Sequence, residues 1–146
     1  MRDPFLEAAI EQARKSLSEG GIPIGAVLVS EGRIIGRGHN CRVQTGSAID
    51  HGEMNCLRHA GRLPAAVYRR SIIYSTLSPC PMCSGAIVLY KIPHVVVGEN
   101  KTYQGAEGYM RANGTRVDVV QDEECIEMMS RFIRENPLLW NEDIGV

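Results

Sequence analysis

The chain has 146 residues, enough for one compact domain with a real core and too few for two ordinary ones. Apolar residues make up 44% and charged residues 23%, the balance of a globular domain, which excludes a disordered or collagen-like chain. Lys and Arg number 16 against 17 Asp and Glu, so the net charge is −1; a chain gripping phosphate backbones needs a basic excess, so nucleic acid is disfavoured and a small, weakly polar ligand is expected.

Asp3-Pro4 reads as a helix start, an N-cap acceptor followed by a proline whose missing N–H costs nothing there. Leu6, Ile10, Ala13 and Leu17 follow at helical spacing, and Gly20-Gly21 ends the segment. Residues 26–30 and 34–38 read as strands of a hairpin around Glu31-Gly32. A polar loop over 40–47 leads to a short helix that begins near Asp50-His51 and stops at Gly61. Residues 71–76 form a strand, Pro81 to Tyr90 a helix, and the run His94 to Val97 a strand buried on both faces. That strand–helix–strand unit predicts a right-handed crossover between parallel strands. A fifth strand is expected over 116–120. A helix follows over 122–136, with Ile126, Met129, Phe132 and Ile133 on one face, and then a mixed tail over 137–146. The elements sum to one α/β domain over residues 1–146, a three-layer α/β/α sandwich around a mixed five-stranded sheet.

No apolar run approaches the roughly 20 residues that span a bilayer, and the N-terminus shows no signal-peptide stretch. Cysteines 41, 56, 80, 83 and 125 are odd in number, which fits reduced thiols in a cytoplasmic protein. His39 and His94, at strand boundaries, read as structural, and Arg58, Arg62, Arg69 and Arg70 as a solvated basic face.

Two stretches call for chemistry: His51-Gly52-Glu53 and Pro79-Cys80-Pro81-Met82-Cys83. Each falls at an expected helix N-terminus, where the partial positive charge favours thiolates. The two-residue gap lets Cys80 and Cys83 reach one ion, and His51 supplies a third ligand, giving a Cys₂His zinc site with one position open to water. Glu53 then stands near that water without ligating. A structural zinc needs a fourth protein ligand, for which His59, Cys56, Cys41 and His39 are the candidates. His59 lies about 12 Å along the helix from His51 at 1.5 Å per residue, too far to share the ion. A reversible Cys80–Cys83 redox pair and a non-catalytic zinc-stabilised module are the remaining readings.

The joint pattern H-x-E with P-C-x-x-C is the recognised signature of zinc-dependent base deaminases, so the chain matches it. With GGIPIGAVLV, IIGRGHN, HGEMNCL, LSPCPMCSGAI, VVVGEN and the terminal EDIG, the sequence resembles the cytidine-deaminase-like superfamily, and within it the fungal-type cytosine deaminases, from about Gly20 to Gly145. The resemblance implies one Zn²⁺ per chain on His51, Cys80 and Cys83, with Glu53 as proton shuttle. It implies that Asn40 and the Gly52 amide contact the pyrimidine edge and that the Ser78 carbonyl faces the amino group, with Asp143 at the far end of the pocket. Trp140 would cover the base as part of a C-terminal lid over about 137–146. Tyr103 falls where fungal members carry a phenylalanine that packs on the base. The implied activity is conversion of cytosine to uracil and ammonia in pyrimidine salvage, by a cytoplasmic homodimer. Guanine, an isocytosine-like ring or a tRNA adenosine are the other substrates that this scaffold suggests.

Overall fold

The computed structural model describes all 146 residues. Helix α1 (Pro4–Ser18) opens on the expected cap, with the Phe5 amide donating to the Asp3 carboxylate at 2.8 Å. It buries Leu6, Ile10 and Ala13, while Leu17 lies past the edge of the buried stripe, 43% exposed. Strands β1 (Gly25–Ser30) and β2 (Arg33–His39) form the hairpin, with a register shift at Leu28/Val29. A one-turn helix, α2 (Arg42–Thr45), sits in the loop after it, followed by α3 (Gly52–Ala60) and another single turn, α4 (Ala65–Tyr68). Next come β3 (Ser71–Ser75), α5 (Pro81–Leu89) and β4 (His94–Val97), then α6 (Glu107–Ala112), β5 (Arg116–Val119), α7 (Glu123–Glu135) and α8 (Pro137–Asp143).

The sheet runs β2-β1-β3-β4-β5, with β1 antiparallel to both neighbours and β3, β4 and β5 parallel. The two-residue period of the strands divides the core. Ala26, Leu28, Ile73, Val95 and Val97 pack against Cys56, Ile87 and Met110 of α3, α5 and α6 on one face. Val27, Val29, Tyr74 and Val96 pack against Leu6, Ile10 and Cys125 of α1 and α7 on the other. These are the three expected layers. A third cluster of Ile22, Ile24, Leu77, Met129, Phe132 and Trp140 seats α8 at one end of the sheet.

Helix α3 lies almost on the sheet backbone. A Cβ at Gly38 would stand 2.2 Å from the Cys56 amide nitrogen, so β2 and α3 approach at a distance that only glycine permits. The start of α3 is tied to the same strand: the His39 amide donates to Asn55 Oδ1 at 3.2 Å, and Asn55 Nδ2 donates to Asp50 Oδ1 at 3.1 Å. Arg58, expected on a solvated face, spans from that face to the buried Asp50 carboxylate at 3.0 Å. His39 and His94 are structural, paired with Glu19 at 2.9 Å and Asp118 at 2.8 Å.

Candidate active site

The site lies at the end of the sheet where β2, β3 and β4 finish and β1 begins, so the loops carrying Asn40, Ser78 and Glu99 converge there with α3 and α5. His51 is the N-cap of α3 and Cys80 the N-cap of α5, with Pro81 opening that helix. Both helices therefore point their unpaired amides at the same spot. The Cys83 amide donates to Cys80 Sγ at 3.5 Å.

Side-chain donor atoms of His51, Cys80 and Cys83 all lie within 4.8 Å of one another. His51 Nδ1 stands 3.5 Å from Cys80 Sγ, so the ring presents that nitrogen to the sulfurs and turns Nε2 toward Asp143 Oδ1, 3.6 Å away. Two sulfurs and one imidazole, gathered at two helix N-termini with no fourth protein donor in the group, fit a zinc site with an open position. His59 is exposed and held by the Arg37 carbonyl, well outside the group.

The electrostatics are those of a cation site. Cys80 is pulled down to about 4 by the hydrogen bond from Cys83, against the effect of burial, with further help from His51. Cys83 goes the other way, pushed up by the adjacent Cys80 sulfur and by burial. The sequence suggests two ready thiolates; without a cation the pair instead keeps one proton, because two negative sulfurs in contact repel. Burial works to lower His51, but the Cys80 hydrogen bond and the Asp143 and Glu53 carboxylates raise it to about 9. Glu53, 4% exposed at the second position of α3, is pushed up to about 7 by burial and then by the Cys80 charge, with His51 opposing.

His51, Glu53, Ser78, Cys80, Tyr103, Trp140 and Asp143 line one small cavity of about 10 Å³, about what one water needs. Ile24, Leu77 and Ile144 complete its wall; as ordinary core aliphatics they carry no sequence signal. Asn40 stands just behind, its Nδ2 donating to Asp143 Oδ1 at 2.9 Å and its Oδ1 accepting the Arg42 amide at 3.1 Å. Gly52 is buried against the Ile24 carbonyl at the first position of α3, where its amide has no intrahelical acceptor. Tyr103 meets Trp140 edge to face, with ring centroids 5.6 Å apart. The side chains that the resemblance assigns to zinc or substrate thus reach this end of the sheet. Asp143 plays a part that the sequence does not signal, bridging Asn40 and the outer nitrogen of His51.

Residues 2–99 match the family model of the cytidine and deoxycytidylate deaminase zinc-binding region. The chain is 52% identical to the cytosine deaminase of Candida albicans over 141 residues, 96% of this chain and 94% of that protein. It is 38% identical to the tRNA-specific adenosine deaminase of Bacillus subtilis, over 90% and 88% of the two chains. Among solved structures, that of a tRNA:A34 deaminase superposes with a TM-score of 0.70 at 30% identity, covering 88% of this chain and 99% of that one.

Proposed function

The chain belongs to the cytidine and deoxycytidylate deaminase family, and on that premise we propose that it removes the exocyclic amine of a free base, converting cytosine to uracil and ammonia. The observation that carries the reading is Glu53, a buried carboxyl that lines one cavity with His51 and Cys80 of the Cys₂His donor group. A carboxyl held there is within reach of both a bound water and a base in the cavity, and so can take and give a proton. Identity to a cytosine deaminase over nearly the full length of both chains supports the choice of base.

In this reading His51, Cys80 and Cys83 hold the zinc. When bound, the ion supplies the Lewis acidity that brings a water's pKa down to about 7. Glu53 takes a proton from the attacking water and delivers it to ring N3. It then collects the remaining hydroxyl proton and delivers it to the amino nitrogen, which leaves as ammonia. Asn40, with one Nδ2–H committed to Asp143, keeps the other for the pyrimidine edge. The Gly52 amide contacts the ring carbonyl, and the Ser78 carbonyl accepts from the amino group. Asp143 closes the far end and steadies His51. Trp140 and Tyr103 cover the base, so α8 acts as a lid that must shift to admit a planar ring.

No helix is long and apolar enough to cross a membrane. Five unbonded cysteines suit a reducing cytoplasm. A homodimer is supported by a mainly apolar groove beside α3 and α5, lined by Met54, Leu57, Leu63 and Tyr90 together with Arg58 and Arg62.

The test is ammonia release by zinc-loaded protein across cytosine, 5-methylcytosine, isocytosine, guanine, adenine and cytidine. Turnover of cytosine with cytidine ignored is the expected outcome. Activity confined to another ring moves the substrate, and silence across the panel overturns the catalytic reading.

A further inference from the structure

We propose that Glu107 is a positioning residue for the amine end of the substrate: it holds Ser78 by its hydroxyl so that the Ser78 carbonyl stays open toward the cavity. The inference rests on the deaminase reading above and names a residue outside the zinc site and outside the cavity wall.

Ser78 is 2% exposed, and all but one of its polar groups are occupied by the protein. Its amide donates to the Glu99 carbonyl at 3.0 Å. Its hydroxyl donates to Glu107 Oε2 at 2.6 Å and accepts the Gly105 amide at 2.9 Å. Its carbonyl accepts no hydrogen bond from any group of the protein. A buried backbone carbonyl without a partner is rare in a folded chain. Here it belongs to a cavity-lining residue fixed at three other points. The arrangement keeps an acceptor for a donor that arrives with the ligand, and the N–H groups of a leaving amine are such a donor.

The tether is itself rigid. Glu107, the first residue of α6, is 1% exposed, and both its oxygens accept from Asn100 Nδ2 at 3.2 Å. Asn100 is locked in turn by Gln121 Nε2, which donates to its Oδ1 at 2.6 Å. The segment before Glu107 is pressed onto the loop that carries Cys80: the Ala106 amide donates to the Pro79 carbonyl at 3.1 Å. A Cβ at Gly105 would stand 1.8 Å from the same oxygen. Only a glycine allows that approach, and the approach is what brings the Glu107 carboxylate within reach of the Ser78 hydroxyl. As the amine gains a proton on its way out, its bond to a fixed carbonyl strengthens, so the tether should act on kcat more than on KM.

The experiment compares zinc-loaded Glu107→Ala, Glu107→Gln, Ser78→Ala and the Glu107→Ala/Ser78→Ala double variant on two probes: cytosine, and pyrimidin-2-one as an amine-free competitive inhibitor. The expected result for Glu107→Ala is a loss of kcat on cytosine of about 10- to 100-fold, the usual cost of removing a partner that orients a site group. The Ki of pyrimidin-2-one stays within about twofold, because that ring offers the carbonyl nothing. Glu107→Gln recovers most of the activity, since its amide oxygen still accepts the hydroxyl. Ser78→Ala keeps the carbonyl, removes the tether and reproduces the loss, and the double variant is no worse than either single one. Equal losses on both probes would mean that Glu107 only braces the loop, and that result overturns the proposal. Unchanged turnover of cytosine overturns it too. Should Glu107→Ala fail to fold, Ser78→Ala, which deletes one buried hydroxyl, decides the matter on the same two probes. A parent inert on cytosine overturns the deaminase reading and this proposal with it; an active parent with a flat variant series overturns this proposal alone.

Discussion

Trp140→Ala tests whether α8 closes the site. The indole is 6% exposed and packs among Ile22, Ile24, Leu77, Met129 and Phe132, with its face or edge against Tyr103 at 5.6 Å. Truncating a buried Trp to Ala costs about 3–5 kcal/mol in a core, and the aromatic pair lies within that figure. Helix α8 has seven residues, too few to hold its shape alone in water, so its order depends on docking. Beyond Trp140 the docking relies on half-buried Leu139 and Ile144 and on the Asn40–Asp143 hydrogen bond. Assigning the lower figure, about 3 kcal/mol, to the docking equilibrium alone shifts it by roughly 150-fold. Apparent affinity falls with the docked fraction, so kcat/KM on cytosine should drop by up to about 100-fold. Zinc stoichiometry should stay at one per chain, since His51, Cys80 and Cys83 are set by α3 and α5. The assay is initial rates well below the melting temperature, with zinc content and limited proteolysis after Asn136 measured on the same samples. Parent-like kcat/KM would refute the closure, and so would activity lost only in proportion to zinc.

Three further outcomes are expected. Glu53→Ala should bind zinc as the parent does and lose about 10²- to 10⁴-fold in kcat, the range for a general acid–base group; substantial residual turnover measured at matched zinc content would contradict its role. Gly38→Ala should cost at least about 3 kcal/mol in urea unfolding, at or beyond ordinary overpacking, because the added methyl meets the backbone of α3. It should also weaken zinc binding, and a variant as stable as the parent would show that β2 and α3 can separate freely. Asp122→Asn reads out acid stability. Burial works to raise Asp122, but the Cys125 amide and Arg2 outweigh it, and the carboxyl sits below its usual value. A depressed carboxylate stabilises the fold above its unfolded pKa and loses that contribution as pH falls through its folded one. The urea midpoints of parent and variant should therefore differ at pH 7 and converge below about pH 4. A gap that stays constant down to pH 2.5 would rule the linkage out.

Local pattern settled much of this protein. Apolar spacing and the Asp3-Pro4, Gly61 and Pro81 signals placed the helices α1, α3, α5 and α7, because a helix face and its caps are written within a few residues of each other. The run His94 to Val97 showed a strand covered on both sides, and it packs in both core clusters. The donor triad was legible for the same reason: two helix starts each carry their ligands within four residues.

Tertiary structure decided the rest. The one-turn helices α2 and α4, the short α6 and α8, and the exposure of Leu17 follow from what packs against them, and short segments carry too little periodicity to announce themselves. The strand order β2-β1-β3-β4-β5 depends on pairings between distant segments. The site's supporting bonds are of the same kind: Asn40 meets Asp143 across 103 positions of sequence, and Ser78 meets Glu107 across 29. Sequence periodicity reports which face of an element is apolar. Which oxygen a buried serine reaches, and which carbonyl it leaves open, depends on how separate elements are brought together by the hydrophobic core, and that information exists only once the chain has closed on itself.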